Sequence, residues 1–141
     1  MLRTTHPLLA ILLLLPLSVS AGEVDGKAII CPSIDVFSGW PKGIEFKSGG
    51  VVLYWVNIEG TSAVLHQRDE GSRYTVSTKK IRWGGWTLNR ETLALQHDER
   101  NLSFYYQCEL ADSPKAMLKT LEAARLEMQR KTDEKMSNNK I

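Results

Sequence analysis

Reactive side chains are scarce in this chain. Its 141 residues include two cysteines and three histidines. There is no Cys-x-x-Cys, so dithiol redox chemistry has no support. His-Glu-x-x-His, Gly-x-Ser-x-Gly, a phosphate-binding glycine loop and zinc-ribbon spacing are all missing, and with them the usual signatures of metalloproteases, serine hydrolases and nucleotide enzymes. Charge of either sign is not in excess, with 18 Lys and Arg against 16 Asp and Glu. A nucleic-acid footprint needs Lys and Arg clustered on one face, so no nucleic-acid partner is expected. After residue 17 no long apolar run occurs.

The apolar run that does occur opens the chain. Arg3 and His6 precede residues 8–17, which are almost purely apolar, and Ser18-Val19-Ser20-Ala21 leads into a polar start at Gly22. This is the order of a secretory signal peptide over residues 1–21. The run is about ten residues, against the roughly 20 that span a bilayer as a helix. An uncleaved anchor is the alternative. No cysteine follows the small residues, so a lipid anchor is not expected. The mature product should be exported, periplasmic or secreted, without a transmembrane span. Cys31 and Cys108 then fall in an oxidising compartment, near the two ends of a domain over residues 22–112, and read as one structural disulfide. Two free buried thiols are the alternative.

Between the cysteines the chain is punctuated about every ten residues by glycine-, asparagine- or aspartate-containing turns. Ser48-Gly49-Gly50 is a hairpin signal, because a tight turn needs positive φ. Residues 51–56 (Val-Val-Leu-Tyr-Trp-Val) are apolar on both faces and read as a central, doubly covered strand. A turn is expected at residues 69–72, then a half-buried strand over 73–79 with Tyr74 and Val76 inward. Short strands at 81–83, 86–88 and 92–96 follow, with a hairpin at Asn89-Arg90-Glu91 and a last turn at 98–101. Residues 102–110 alternate best, placing Leu102, Phe104, Tyr106, Cys108 and Leu110 on one face. Seven to eight such strands make an all-β fold, a small antiparallel barrel or sandwich. A disulfide between terminal strands suits closure into a barrel, which removes exposed edges.

At residue 113 the period changes. Ser113 is a helix cap and Pro114 fits a first turn. Met117, Leu121, Ala124 and Met128 then form one narrow apolar stripe that ends near Arg130. Residues 113–141 read as an amphipathic helix with a disordered tail over 137–141. The helix either docks on the β domain, or binds a partner or an anionic membrane surface.

Candidate chemistry is thin. His66 and His97 read as partly exposed strand residues; a metal site combining them with Asp98 is required by nothing in the spacing. Asp98-Glu99 are neighbours in a polar turn, whereas a glycosidase needs carboxylates on opposite sides of a cleft. Asn101-Leu102-Ser103 matches a glycosylation acceptor. No enzyme activity, cofactor or metal is expected. What remains is a surface for binding. Phe37 and Trp40 sit in a loop over residues 33–43, and Ser72, Arg73, Tyr74, Trp83 and Trp86 lie in or beside turns, residue types favoured at binding hot spots. Core packing is the alternative for the tryptophans, and packing down onto the core is the alternative for the loop aromatics.

Several of these residues carry resemblances. The run Ile-Arg-Trp-Gly-Gly-Trp-Thr-Leu-Asn-Arg-Glu-Thr-Leu (81–93) and Tyr106-Gln107-Cys108-Glu109 resemble small exported bacterial proteins of unknown function. The export signal, a cysteine in the first and last strands, Gly71-Ser72-Arg73-Tyr74 and Trp83-Gly84 are also similar to the plan of periplasmic C-type lysozyme inhibitors. That second resemblance implies a small disulfide-bonded barrel that blocks lysozyme with an inserted loop. Two features depart from it: Gly84-Gly85 stands where that family has Lys-Gly, and the C-terminal helix has no counterpart there. The expected function is a non-enzymatic binding or inhibitor module facing a protein or glycan in the cell envelope or outside the cell. The alternative is an assembly protein that uses its helix.

Overall fold

The computed structural model describes residues 22–32 and 41–139; the expected signal peptide lies outside them, as do Phe37 and Trp40. Alternating short strands separated by turn residues produce ten strands. They are β1 (Ala28–Cys31), β2 (Lys42–Lys47), β3 (Gly50–Glu59), β4 (Ser62–Arg73), β5 (Thr75–Val76), β6 (Lys80–Trp83), β7 (Trp86–Asn89), β8 (Ala94–Glu99), β9 (Leu102–Gln107) and β10 (Glu109–Ala111), followed by one helix, α1 (Pro114–Asn138). All pairings are antiparallel, in two five-stranded sheets of order β10-β1-β2-β3-β4 and β5-β6-β7-β8-β9.

Among the described residues no ladder joins the sheets, so the fold is a sandwich and not a closed barrel. Successive inward residues of β2 meet successive strands of the second sheet. Phe46 lies edge-on to Trp83 of β6 at 5.5 Å, Ile44 converges with Trp86 and Leu95 of β7 and β8, and the Lys42 ammonium sits over the Tyr106 ring of β9 at 5.3 Å. The strands of one sheet therefore run across those of the other. In such packings the corners are made by chain that switches sheets. The chain does so at Tyr74, between β4 and β5, and at Cys108, between β9 and β10.

These corners explain where the strands depart from the alternation. The turn expected at 69–72 is a bulge inside β4: Val52 pairs with Asp69 but Gly50 pairs with Arg73, and Gly71 takes φ +67°. The strand expected over 73–79 is cut to two residues because Tyr74 is drawn into the core at the corner. Residues 102–110 are likewise split by Cys108. Cys108 does point inward and is bonded to Cys31, but Leu102, Phe104 and Leu110 are exposed, since β9 and β10 are sheet edges that the opposite sheet does not fully cover. Asp98 and Glu99 belong to β8, and the turn there is the two-residue pair Arg100-Asn101, both with positive φ.

Strand β3 has both faces covered. Val51 and Leu53 enter the core between the sheets, while Tyr54 and Val56 face the helix side. Ser113 caps α1, its Oγ accepting from Ala116 N at 3.0 Å. The stripe of Met117, Leu121 and Met128 is buried on the outer face of the first sheet against Ala28, Tyr54, Val56 and Ala63. Gly43 permits this approach: a Cβ there would come within 2.7 Å of Leu121 and Met117. Farther along, Gln129 accepts from Ala63 N at 2.7 Å and donates to Thr61 O at 2.9 Å, tying the helix to the β3–β4 hairpin. The helix outlasts its apolar stripe, running eight residues past Arg130 to Asn138 across part of the expected tail. Arg130 bonds Glu127 and Glu134, and pairs of this kind support an exposed helix by a few tenths of a kcal/mol each.

Candidate functional site

Three connections distant in sequence meet at the Tyr74 corner: the Ser48-Gly49 turn, residues 71–74, and the Gly84-Gly85 turn between β6 and β7. Their hub is Asp25. Both of its carboxylate oxygens accept from Gly49 N, at 3.0 and 3.1 Å, and one also accepts from the Tyr74 hydroxyl at 2.7 Å. Tyr74 N in turn donates to Gly49 O at 3.2 Å. The Tyr74 hydroxyl, helped by Gly49 N, holds the Asp25 carboxyl below its ordinary pKa; burial, with Asp25 beside it, pushes the tyrosine up. Ser48 and Gly49 both adopt positive φ, the geometry of a tight hairpin turn.

The seven candidate partner-binding residues separate cleanly. Arg73 is exposed, its guanidinium 3.5 Å from where a Cβ of Gly49 would lie. Ser72 is half-buried, with Oγ 3.8 Å from the corresponding position at Gly84. Glycine at both tips keeps this surface low around the two polar side chains. Tyr74, Trp83 and Trp86 are buried at 1, 3 and 9% exposure and cannot be the exposed contacts they were candidates for. They form the support beneath. Phe46 sits edge-on between Tyr74 and Trp83, at 5.5 Å from each, and Trp83, Trp86 and His97 continue as a stack at 6.2 and 4.0 Å. A tryptophan beside a turn is drawn inward here because the alternation of its strand points it at the other sheet. Phe37 and Trp40 lie outside the described residues.

Asp25 was missed by sequence reading. Its only signal there is the Asp25-Gly26 pair, a turn dipeptide like many others. Also missed was the outer face of the second sheet. Thr75, Arg82, Thr87, Gln96 and Tyr105 stand opposite one another across all five strands. A groove of about 200 Å³ opens there, lined by Lys80, Thr87, Asn89, Gln96 and Tyr105 among others. Asp98 orients its floor, accepting from Gln96 Nε2 at 2.8 Å and Ser103 Oγ at 2.6 Å, which holds its pKa low. The cross-strand register that builds this row is set by turn geometry, which alternation alone does not reveal.

The histidines sit on different sheets. His97 stacks on Trp86. His66 stacks on Trp55 at 5.2 Å, with Nε2 3.1 Å from Glu59 Oε1, a distance for an ion pair without the alignment of a hydrogen bond. Among the described residues no group of three or more His, Cys, Asp or Glu side chains could hold a metal, and no helix is long and apolar enough to cross a membrane. The disulfide is compatible with an oxidising compartment. No family model, curated protein or solved structure matches this chain.

Proposed function

We propose that this protein is an exported binding module without catalytic chemistry, an inhibitor that sets the surface around Ser72 and Arg73 against a protein partner. The observation that carries the reading is the convergence of the Ser48-Gly49, 71–74 and Gly84-Gly85 segments on one braced corner. Exposed Asp25 ties the Ser48-Gly49 turn to buried Tyr74, so Arg73 and Ser72 are presented on a preorganised support, and preorganisation lowers the entropic cost of binding. The resemblance to C-type lysozyme inhibitors rests on Gly71-Ser72-Arg73-Tyr74 and Trp83-Gly84, and these two segments are neighbours in space through Ser72 and Gly84. The lysine of that family's pattern is replaced by Gly84, so the cation proposed to act on this surface is Arg73. The alternative role, assembly through the helix, is less well supported, because the apolar stripe of α1 is spent on the first sheet.

The test is a cell-wall lysis assay with a C-type lysozyme and residues 22–141. Dose-dependent inhibition is expected, weakened at least tenfold by Arg73→Ala together with Ser72→Ala while the thermal melt stays unchanged. Full lysis at a large molar excess of the protein defeats the inhibitor reading.

A further inference from the structure

Two amides in the groove on the outer face of the second sheet are oriented by bonds that use only one end of each. Asn89 Oδ1 accepts from Glu91 N at 2.9 Å and from Thr92 N at 3.0 Å, which leaves Nδ2 to donate elsewhere. Gln96 Nε2 donates to Asp98 Oδ1 at 2.8 Å, which leaves Oε1 to accept. Each amide has a directly opposite neighbour across a ladder: Lys80 faces Asn89, and Thr87 faces Gln96. The Thr87 hydroxyl makes no hydrogen bond and Lys80 no ion pair among the described residues. All four residues line the groove of about 200 Å³, where the small Ala94 leaves room between them. They stand on β6, β7 and β8, each of which is paired on both sides, so their spacing is fixed before any ligand arrives.

We infer that this groove binds one acidic pyranose unit, a hexuronate, with its carboxylate at Lys80 and Asn89 and its hydroxyls at Thr87 and Gln96. The polarity of the two pairs selects that class. Lys80 Nζ and Asn89 Nδ2 are both donors, and two donors side by side suit a carboxylate. Gln96 Oε1 is an acceptor, and beside it the Thr87 hydroxyl donates or accepts, so this end needs a ligand that brings a proton of its own. A fully ionised phosphate brings none, whereas a sugar hydroxyl does. Thr87 and Asn89 are two residues apart on one strand, which separates the ends by about 7 Å, the span of a six-membered ring with its substituents. The volume agrees, since an apolar cavity of about 150 Å³ holds a benzene ring. Asp98 lies on the same face, but its carboxylate accepts from Gln96 and Ser103. The site shares no residue with the surface proposed at Ser72 and Arg73, and either can fail without the other.

The test is an NMR titration of residues 22–141 with glucuronate, with glucose as the uncharged counterpart. Glucuronate should shift the Asn89 side-chain amide and the backbone amides of Thr87 and Gln96 saturably at millimolar concentration. Glucose should bind roughly tenfold more weakly, because a hydrogen bond to a charged group is lost. Lys80→Gln should weaken glucuronate by a similar factor and leave glucose unchanged. Asn89→Asp keeps the acceptor for Glu91 N and Thr92 N, removes the donor and sets a carboxylate beside Lys80, so it should abolish glucuronate binding. Should that variant fail to fold, Thr87→Val keeps a strand-favouring shape and should still weaken binding severalfold. An oligosaccharide ending in glucuronate separates the sources: binding equal to that of the free sugar assigns a glycan end, and no binding assigns the free acid. Shifts that stay linear to high concentration overturn the inference, as does equal binding of glucose and glucuronate.

Discussion

The chain changes sheets twice, and the two corners are secured by different chemistry. At Cys108 the link is covalent, tying β9 and β10 to the end of β1. At Tyr74 it is a buried ring packed on Phe46, with a hydroxyl bonded to Asp25 and a backbone amide bonded to Gly49. The covalent corner acts chiefly on the unfolded chain, whose entropy it restricts over a 77-residue separation. The Tyr74 corner acts on the folded state and also shapes the surface that carries Ser72 and Arg73. Side chains and turns set local geometry, as the binding surface proposed at the Tyr74 corner requires, whereas a single bond sets only proximity.

That contrast can be broken at either end. Replacing both cysteines with alanine is expected to cost about 4 kcal/mol in the chain-entropy picture, measured by denaturant titration. A reductant should destabilise the native chain and leave that variant unmoved. Tyr74→Ala empties a buried aromatic site and should cost about 3 kcal/mol or slightly more, and because it keeps the disulfide a reductant should destabilise it further. It should also abolish whatever activity Arg73 supports, which the cysteine replacement should spare if its fold survives.

Acid separates the corners further. The folded-state pKa of Asp25 is depressed, by the Tyr74 hydroxyl first and Gly49 N second. Its contribution is therefore present above the ordinary carboxylate value of roughly 4 and is lost as pH falls through the lowered folded value. Tyr74→Phe and Asp25→Asn should each flatten the acid limb of a stability-against-pH curve below about pH 4. An acid limb identical to wild type would show that the hydrogen bond adds nothing at this corner. The smallest effect is expected at Gly71. Its φ of +67° is strained for any side chain, although a Cβ there meets nothing within 4 Å. Gly71→Ala should cost about 1 kcal/mol through the backbone alone.

Local pattern made much of this legible in advance. Ser48-Gly49, Ser113-Pro114 and the doubly apolar run of β3 each announce their structure because turn conformation, capping and two-sided burial are properties of a few adjacent residues. Strand boundaries at 69–79 and 102–110 were not legible. A bulge and a turn share the same Asp-Glu-Gly-Ser chemistry, and a continuous alternation does not reveal where a chain will cross to the other sheet. The candidate site was only half visible for the same reason. Ser72 and Arg73 could be named from their turn, but the burial of Tyr74, Trp83 and Trp86 depends on which sheet lies opposite.

By itself, then, the sequence determined the β character, the cysteine pair available to bond, the capped helix and its apolar stripe, since each rests on periodicity or on the conformational limits of single residues. Only the tertiary structure decided that the sheets stay open, that Asp25 braces Gly49 and Tyr74 from 24 and 49 residues away, and that β9 ends the strand order of its sheet. Those outcomes depend on how two twisted sheets cross and on which side chains fill the space between them, and pairings over such separations leave no trace in any local run of residues.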